Sequence, residues 1–73
     1  MTAKMTERLL NTLKPAREAA GLTQAALAEA VGVSRKTVNT VENGIFIPST
    51  LLALKLAAAL GEPVEALFRV ERD

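Results

Sequence analysis

The 73-residue sequence predicts a single small all-α domain of five short helices. Apolar residues recur at helical spacing in several runs, most runs follow a hydroxyl residue or a proline, and glycines at 21, 32, 44 and 61 close them. A chain of this length buries little surface, so its core must be well packed or shared with a second copy. The sequence therefore also favours a dimer.

Composition narrows the class of protein. Hydrophobic residues make up 49% of the chain, with two Phe and neither Trp nor Tyr, so the core must be aliphatic. The sequence has no Cys or His, which excludes a disulfide framework, a cysteine nucleophile and the usual zinc-ligand sets. It also lacks a phosphate-binding glycine loop and an acidic pair in an evident cleft, so we predict no enzyme, cofactor or metal. No membrane-spanning run or secretory leader is evident, which predicts a cytoplasmic protein.

The N-terminal residues 1–12 are predicted to be an arm or a short strand. Residues 1–5 show no periodicity, and we expect them to be mobile, with Lys4 able to touch a phosphate. Arg8 to Asn11 fit either an extra helical turn or a strand. So few residues leave both alternatives open.

Pro15 determines where the first helix begins. Proline lacks an N–H and would kink a helix that ran unbroken from Thr6 to Ala20. If Asn11 or Thr12 caps the helix, Pro15 falls in the first turn, where an N–H has no helical partner in any case. Helix one is therefore predicted from Leu13 to Ala20, and it opens the main domain, residues 13–68.

Two capped helices separated by a glycine occupy the middle of the chain. Thr23 and Ser34 each precede an apolar run and can accept a hydrogen bond from a first-turn N–H. Gly32 suits the corner because glycine adopts a left-handed conformation without a Cβ penalty. The first helix is predicted from Thr23 or Gln24 to Val31 and the second from Ser34 to Glu42. The apolar positions in and between them are Leu27, Val31, Val33, Val38 and Val41. This pattern predicts a helix-turn-helix.

The outer side of the second of these helices is polar. It carries Arg35, Lys36, Asn39 and Thr40 opposite the valines. An α-helix fits the major groove of DNA, where Arg or Lys can donate to guanine and Asn can pair with adenine. The net charge of +1 is low for a nucleic-acid binder, but the basic pair begins this helix while acidic residues gather toward the C-terminus. We predict sequence-specific DNA recognition by this face.

The C-terminal third contains two further helices and one ambiguous segment. Residues 45–48 are predicted to be an extended connection, and Ser49 can cap helix four, whose leucines spread nearly all round and predict a central buried helix. Pro63 suits the first turn of a short fifth helix that ends at Leu67 or Phe68. The remaining residues, 69–73, are predicted to be a strand or a tail, because residues 68–72 alternate apolar and charged. A strand there could pair with residues 8–11.

These motifs, in this order, resemble the small helix-turn-helix regulators of the XRE family, the Cro and C1 repressor type. The matching pieces are AGLTQAALA (20–28), VGVSRKTV (31–38), VENG (41–44), PS (48–49) and ALGEPVEALF (59–68). The resemblance implies a five-helix, repressor-like DNA-binding domain that reads a palindromic operator as a homodimer. Some short relatives also carry terminal strands that form a dimer sheet.

The resemblance also implies roles for individual residues. The base-contacting positions would be Arg35, Lys36, Asn39 and Thr40. The phosphate-contacting or positioning residues would be Gln24, Ser34, Thr37 and Asn43. Arg17 and Glu42 match a pair that forms a salt bridge in the family.

The chain departs from the family pattern after Asn43-Gly44. Relatives usually carry Lys or Arg there, followed by polar residues, whereas Ile45-Phe46-Ile47 is wholly apolar. We expect Phe46 to pack onto helix four, with contact to DNA sugars or a second subunit as the alternative. The apolar loop and the low net charge also motivate a second hypothesis. In it the protein is an antitoxin-type or accessory module that docks a toxin-like or regulatory partner.

Overall fold

The computed structural model describes residues 7–72. The elements follow in the order β1 (Glu7–Asn11), α1 (Leu13–Ala19), α2 (Gln24–Val31), α3 (Arg35–Glu42), α4 (Thr50–Leu60), α5 (Val64–Leu67) and β2 (Phe68–Arg72). The predicted five-helix, mainly helical class is confirmed, and the arm predicted at residues 1–5 lies outside the described residues. No helix within residues 7–72 has the length and apolar character needed to cross a membrane.

The two ends of the domain pair as a two-stranded antiparallel sheet. Leu9 lies opposite Val70, and Asn11 lies opposite Phe68. On the other face of the sheet, Arg8 Nε is 3.0 Å from Glu71 Oε1 in an exposed ion pair. Residues 8–11 therefore form a strand rather than an extra helical turn, and residues 68–72 form the partner strand rather than a frayed tail.

Asn11 and Thr12 connect this sheet to the helices. The Thr12 hydroxyl donates to the Ala66 carbonyl at 2.8 Å and makes no capping hydrogen bond to α1. Asn11 uses both ends of its amide, since Oδ1 accepts from the Leu13 N–H at 3.3 Å and Nδ2 donates to the Val41 carbonyl at 3.1 Å. Strand β1 is thereby tied both to the start of α1 and to the last turn of α3.

All five helices contribute to one aliphatic core. Its buried side chains are Leu13, Leu27, Ala28, Val31, Val38, Val41, Leu56, Ala57 and Leu67. Phe68 lies at the margin, only partly buried against this cluster. The valines of α3 are among the most buried side chains. They anchor the helix in the core, and its opposite side therefore faces outward.

Helix α4 is less buried than its sequence predicts. It packs against α2 and α5, and of its residues only Leu56 and Ala57 are buried. Leu51 and Leu54 remain 67% and 52% exposed. The prediction of a central buried helix is therefore wrong for a single chain, because the apolar residues of α4 cover more of its circumference than two neighbouring helices can enclose.

Candidate nucleic-acid interface

Helices α2 and α3 are each capped by the hydroxyl that the sequence indicates. The Thr23 hydroxyl accepts from the Ala26 N–H at 3.0 Å, and the Ser34 hydroxyl accepts from the Thr37 N–H at 3.1 Å. Between them Gly32 has φ of 78°, in the left-handed region that is strained for a residue with a Cβ. The caps and the glycine corner together bring α3 across α2.

The exposure of α3 follows its sequence pattern. Val38 and Val41 are almost completely buried, whereas Arg35 and Lys36 are exposed. Asn39 and Thr40 are half-buried at the edge of the same outer side. Two cations therefore lie on the surface at the start of a helix whose opposite side is anchored in the core.

The ion pair between Arg17 and Glu42 lies behind this helix. Arg17 Nε donates to Glu42 Oε2 at 2.6 Å, and Arg17 Nη1 donates to the Leu22 carbonyl at 2.8 Å. The two side chains are 10% and 2% exposed. The hydrogen bond with Glu42 is the main cause that raises the pKa of the Arg17 guanidinium above its usual value. A charged pair thus joins α1 to the end of α3.

Gln24 connects the Arg17–Glu42 ion pair to Arg35 on the outer side of α3. Its Nε2 donates to Glu42 Oε1 at 2.9 Å, while its Oε1 accepts from Arg35 Nη1 at 3.4 Å. Because Glu42 engages the amide nitrogen, the amide oxygen points toward the guanidinium. The sequence does not predict this link, since Gln24 lies on α2 while Glu42 and Arg35 lie at opposite ends of α3, and no spacing indicates that the three side chains meet.

The remaining polar residues of α3 are held by bonds within the helix. The Thr40 hydroxyl donates to the Thr37 carbonyl at 3.0 Å, and the Thr37 and Ser34 hydroxyls are 3.0 Å apart. Asn43 Nδ2 donates to both oxygens of Asn39, the carbonyl at 3.0 Å and Oδ1 at 3.2 Å. The side chain of Asn39 is therefore oriented by Asn43.

The apolar loop after α3 folds back toward the helix. Gly44 has φ of 74°, and the Ile45 and Phe46 N–H groups both donate to the Thr40 carbonyl, at 3.0 and 3.2 Å. Phe46, which the sequence predicts to pack onto helix four, is 45% exposed and is not one of the side chains packed against the core, and Ile45 is 76% exposed. The loop and α3 border an open cavity of about 330 Å³ lined by Lys36, Thr37, Thr40, Ile45 and Phe46.

Two capped helices crossing at a left-handed glycine, with a cationic outer face, define a DNA-binding helix-turn-helix domain. The chain belongs to the XRE-type helix-turn-helix family, since the family model described as "Helix-turn-helix" matches residues 13–67.

The chain is similar to regulators from both bacteria and archaea. It is 41% identical over 63 residues to the uncharacterized HTH-type transcriptional regulator YgzD of Bacillus subtilis, covering 86% of this chain and 96% of the relative. It is 47% identical over 58 residues to an uncharacterized HTH-type transcriptional regulator of Methanothermobacter thermautotrophicus, covering 78% and 84%. It is also 44% identical over 54 residues to Antitoxin HigA-1 of Vibrio cholerae, covering 74% of this chain and 50% of that protein.

Proposed function

We propose that this protein is a repressor that reads a palindromic operator in the major groove as a homodimer. The observation that carries the proposal is the pair of exposed cations, Arg35 and Lys36, on a helix whose valines are buried behind them. Major-groove reading requires a helix that is exposed on one side and rigidly held on the other.

In this proposal the side chains divide into two groups. Arg35 and Lys36 donate to guanine, Asn39 pairs with adenine, and Thr40 completes the base-reading set. Four further residues either contact phosphates or position the reading helix: Gln24, Ser34, Thr37 and Asn43. Support for this division comes from the bond from Gln24 to Arg35 and the bonds from Asn43 to Asn39, which restrict two of the reading side chains.

An exposed apolar face supports the homodimer. Ile47 and Val70 are 70% and 61% exposed, and with Leu9 they line a second cavity, of about 270 Å³. Leu51 and Leu54, three residues apart on one side of α4, are also exposed, and we take them as part of the same interface. We call these five residues the apolar face. Monomeric proteins rarely expose apolar patches of this kind, so we assign it to a second copy.

Selection of bound duplexes from a random DNA pool tests the proposal. The expected result is a two-fold symmetric consensus whose half-sites are about one helical turn, roughly 34 Å, apart. Sedimentation of the free protein and of the complex should give a dimer in the complex. Failure to enrich any consensus, or an enriched site without symmetry bound by one copy, would contradict it.

The similarity to Antitoxin HigA-1 favours a second candidate function. In it the scaffold chiefly docks a toxin-like protein, and the apolar loop at residues 45–47 belongs to that interface. A protein partner that copurifies at a fixed ratio, together with no retarded DNA in the selection, would favour docking over repression. Both functions can coexist in one small regulator.

A further inference from the structure

We infer that Ile45 and Phe46 recognise the C5-methyl group of a thymine next to the bases that α3 contacts, an inference that rests on the base reading proposed above. The methyl group would lie in the open 330 Å³ cavity between the loop and α3. The apolar loop then adds a position of sequence specificity instead of merely lacking the usual phosphate-binding cations.

The backbone holds these two side chains beside the reading helix. The Ile45 and Phe46 N–H groups share the Thr40 carbonyl, so the loop cannot swing away without breaking both hydrogen bonds. Lys36 and Thr40 are four residues apart on α3 and therefore neighbours on one side of the helix. The cavity consequently opens on the side from which Lys36 projects.

The chemistry of the lining suits a methyl group at the edge of a base. Thymine alone among the four DNA bases presents an apolar group in the major groove. Ile45 and Phe46 supply apolar surface, and Thr40 adds its methyl group while its hydroxyl donates to the Thr37 carbonyl. The lining also contains one cation, Lys36, and no carboxylate, so a polyanion can approach without repulsion.

A second copy of the chain is a poorer occupant of this cavity. Ile47 lines the other cavity, with Leu9 and Val70 of the sheet, so the loop presents Ile45 and Ile47 to different surroundings. A subunit seated on Ile45 would also cover Lys36 and Thr40, which the proposed base reading needs. The apolar face accounts for the dimer, and the cavity beside α3 stays available to DNA.

Replacing thymine with deoxyuridine tests the inference, because the change removes only the methyl group. In the selected consensus duplex each thymine is replaced singly, with its symmetry mate, and the dissociation constant is measured for each duplex. At one thymine position of the half-site we expect binding to weaken about ten- to fifteenfold, because the symmetric replacement removes one buried methyl contact from each half-site and each contact is worth about three- to fourfold. In the Ile45→Ser variant the dissociation constants for the thymine and deoxyuridine duplexes should lie markedly closer together.

Ile47→Ser is the matched control, since Ile47 is the same residue type and similarly exposed but lines the other cavity. It can weaken binding through the dimer, yet the ratio of the two dissociation constants should remain that of the unaltered protein. Two further variants, Ile45→Ala and Phe46→Ala, are each checked by thermal unfolding. Both should lower the ratio of the dissociation constant for the deoxyuridine duplex to that for the thymine duplex.

The outcomes separate this inference from the proposed function. A symmetric consensus in which no thymine depends on its methyl group overturns the inference and leaves the repressor proposal standing. A methyl dependence that persists in the Ile45 and Phe46 variants also overturns it, because another side chain then contacts the methyl. If no consensus is enriched at all, base reading and methyl recognition fail together.

Discussion

The guanidinium of Arg17 lies 2.6 Å from the carboxylate of Glu42 and fastens α1 to the last turn of α3. Glu42 also accepts a hydrogen bond from Gln24, which in turn contacts Arg35. A single enclosed carboxylate thus holds together the scaffold and the side chain proposed to read DNA. Among the described residues, no buried side-chain nitrogen or oxygen lacks a hydrogen-bond partner, and this network is one reason.

Loss of Arg17 should destabilise the domain severely. The Arg17→Met variant leaves the carboxylate of Glu42 enclosed and without its cation, so the free energy of unfolding should fall by about 3–5 kcal/mol. Urea unfolding followed by circular dichroism measures the change. The control is Arg8→Ala, which breaks the exposed pair with Glu71 and should cost about 0–1 kcal/mol. Similar small losses in both variants would show that the enclosed pair contributes little.

Two serines cap helices in the same way and allow stability to be separated from DNA contact. Ser34 and Ser49 each accept a backbone N–H at 3.1 Å. Replacing either with Ala should lower the free energy of unfolding by about 1 kcal/mol. We expect only Ser34→Ala to weaken DNA binding beyond what its lost stability explains. Equal affinities of the two variants in a gel-shift titration would remove Ser34 from the proposed DNA-contacting residues.

Arg35→Ala should reduce specificity more than general affinity. Losing a guanine contact is expected to cost about 1–3 kcal/mol on the selected operator and less on scrambled DNA of the same length. Titrations of both duplexes at one salt concentration supply the comparison. If the two losses are equal, Arg35 contacts only phosphates.

A charge on the apolar face should separate the subunits of the proposed homodimer. Leu54→Lys places a cation where a second copy is expected to pack, so the dimer should dissociate at concentrations where the unaltered protein stays paired. Ala19→Lys, at an exposed position of α1 outside this face, is the control. Sedimentation equilibrium measures both variants, and an unchanged association constant for Leu54→Lys would place the dimer contact elsewhere.

Local features of the domain were predictable because their causes are local. A capping hydroxyl lies three residues before the N–H from which it accepts a hydrogen bond. Such a hydroxyl, like a glycine at a helix end, is visible in a short window of sequence. This is why the helix cap at Ser34 and the corner at Gly32 could be predicted from the sequence. The outward side of α3 was equally predictable, because its buried valines recur at helical spacing.

Features that depend on distant parts of the chain were not predictable in the same way. The exposure of Leu51 and Leu54 depends on how many helices pack around α4, which its composition does not reveal. The bond from Gln24 to Glu42 spans 18 residues. The two strands remained undecided because five residues carry little periodicity, and each strand has its partner at the other end of the domain.

That pairing of the two ends has a consequence for the order of folding. Arg8 and Glu71 are 63 positions apart, so joining them closes a ring of chain that includes every helix. The entropy lost in closing so long a ring is recovered only after the intervening helices have drawn its ends together. We therefore expect the strands to pair last, with Leu9 and Val70 becoming neighbours only then. The subunits of the proposed homodimer would thus associate after each chain has nearly completed its folding.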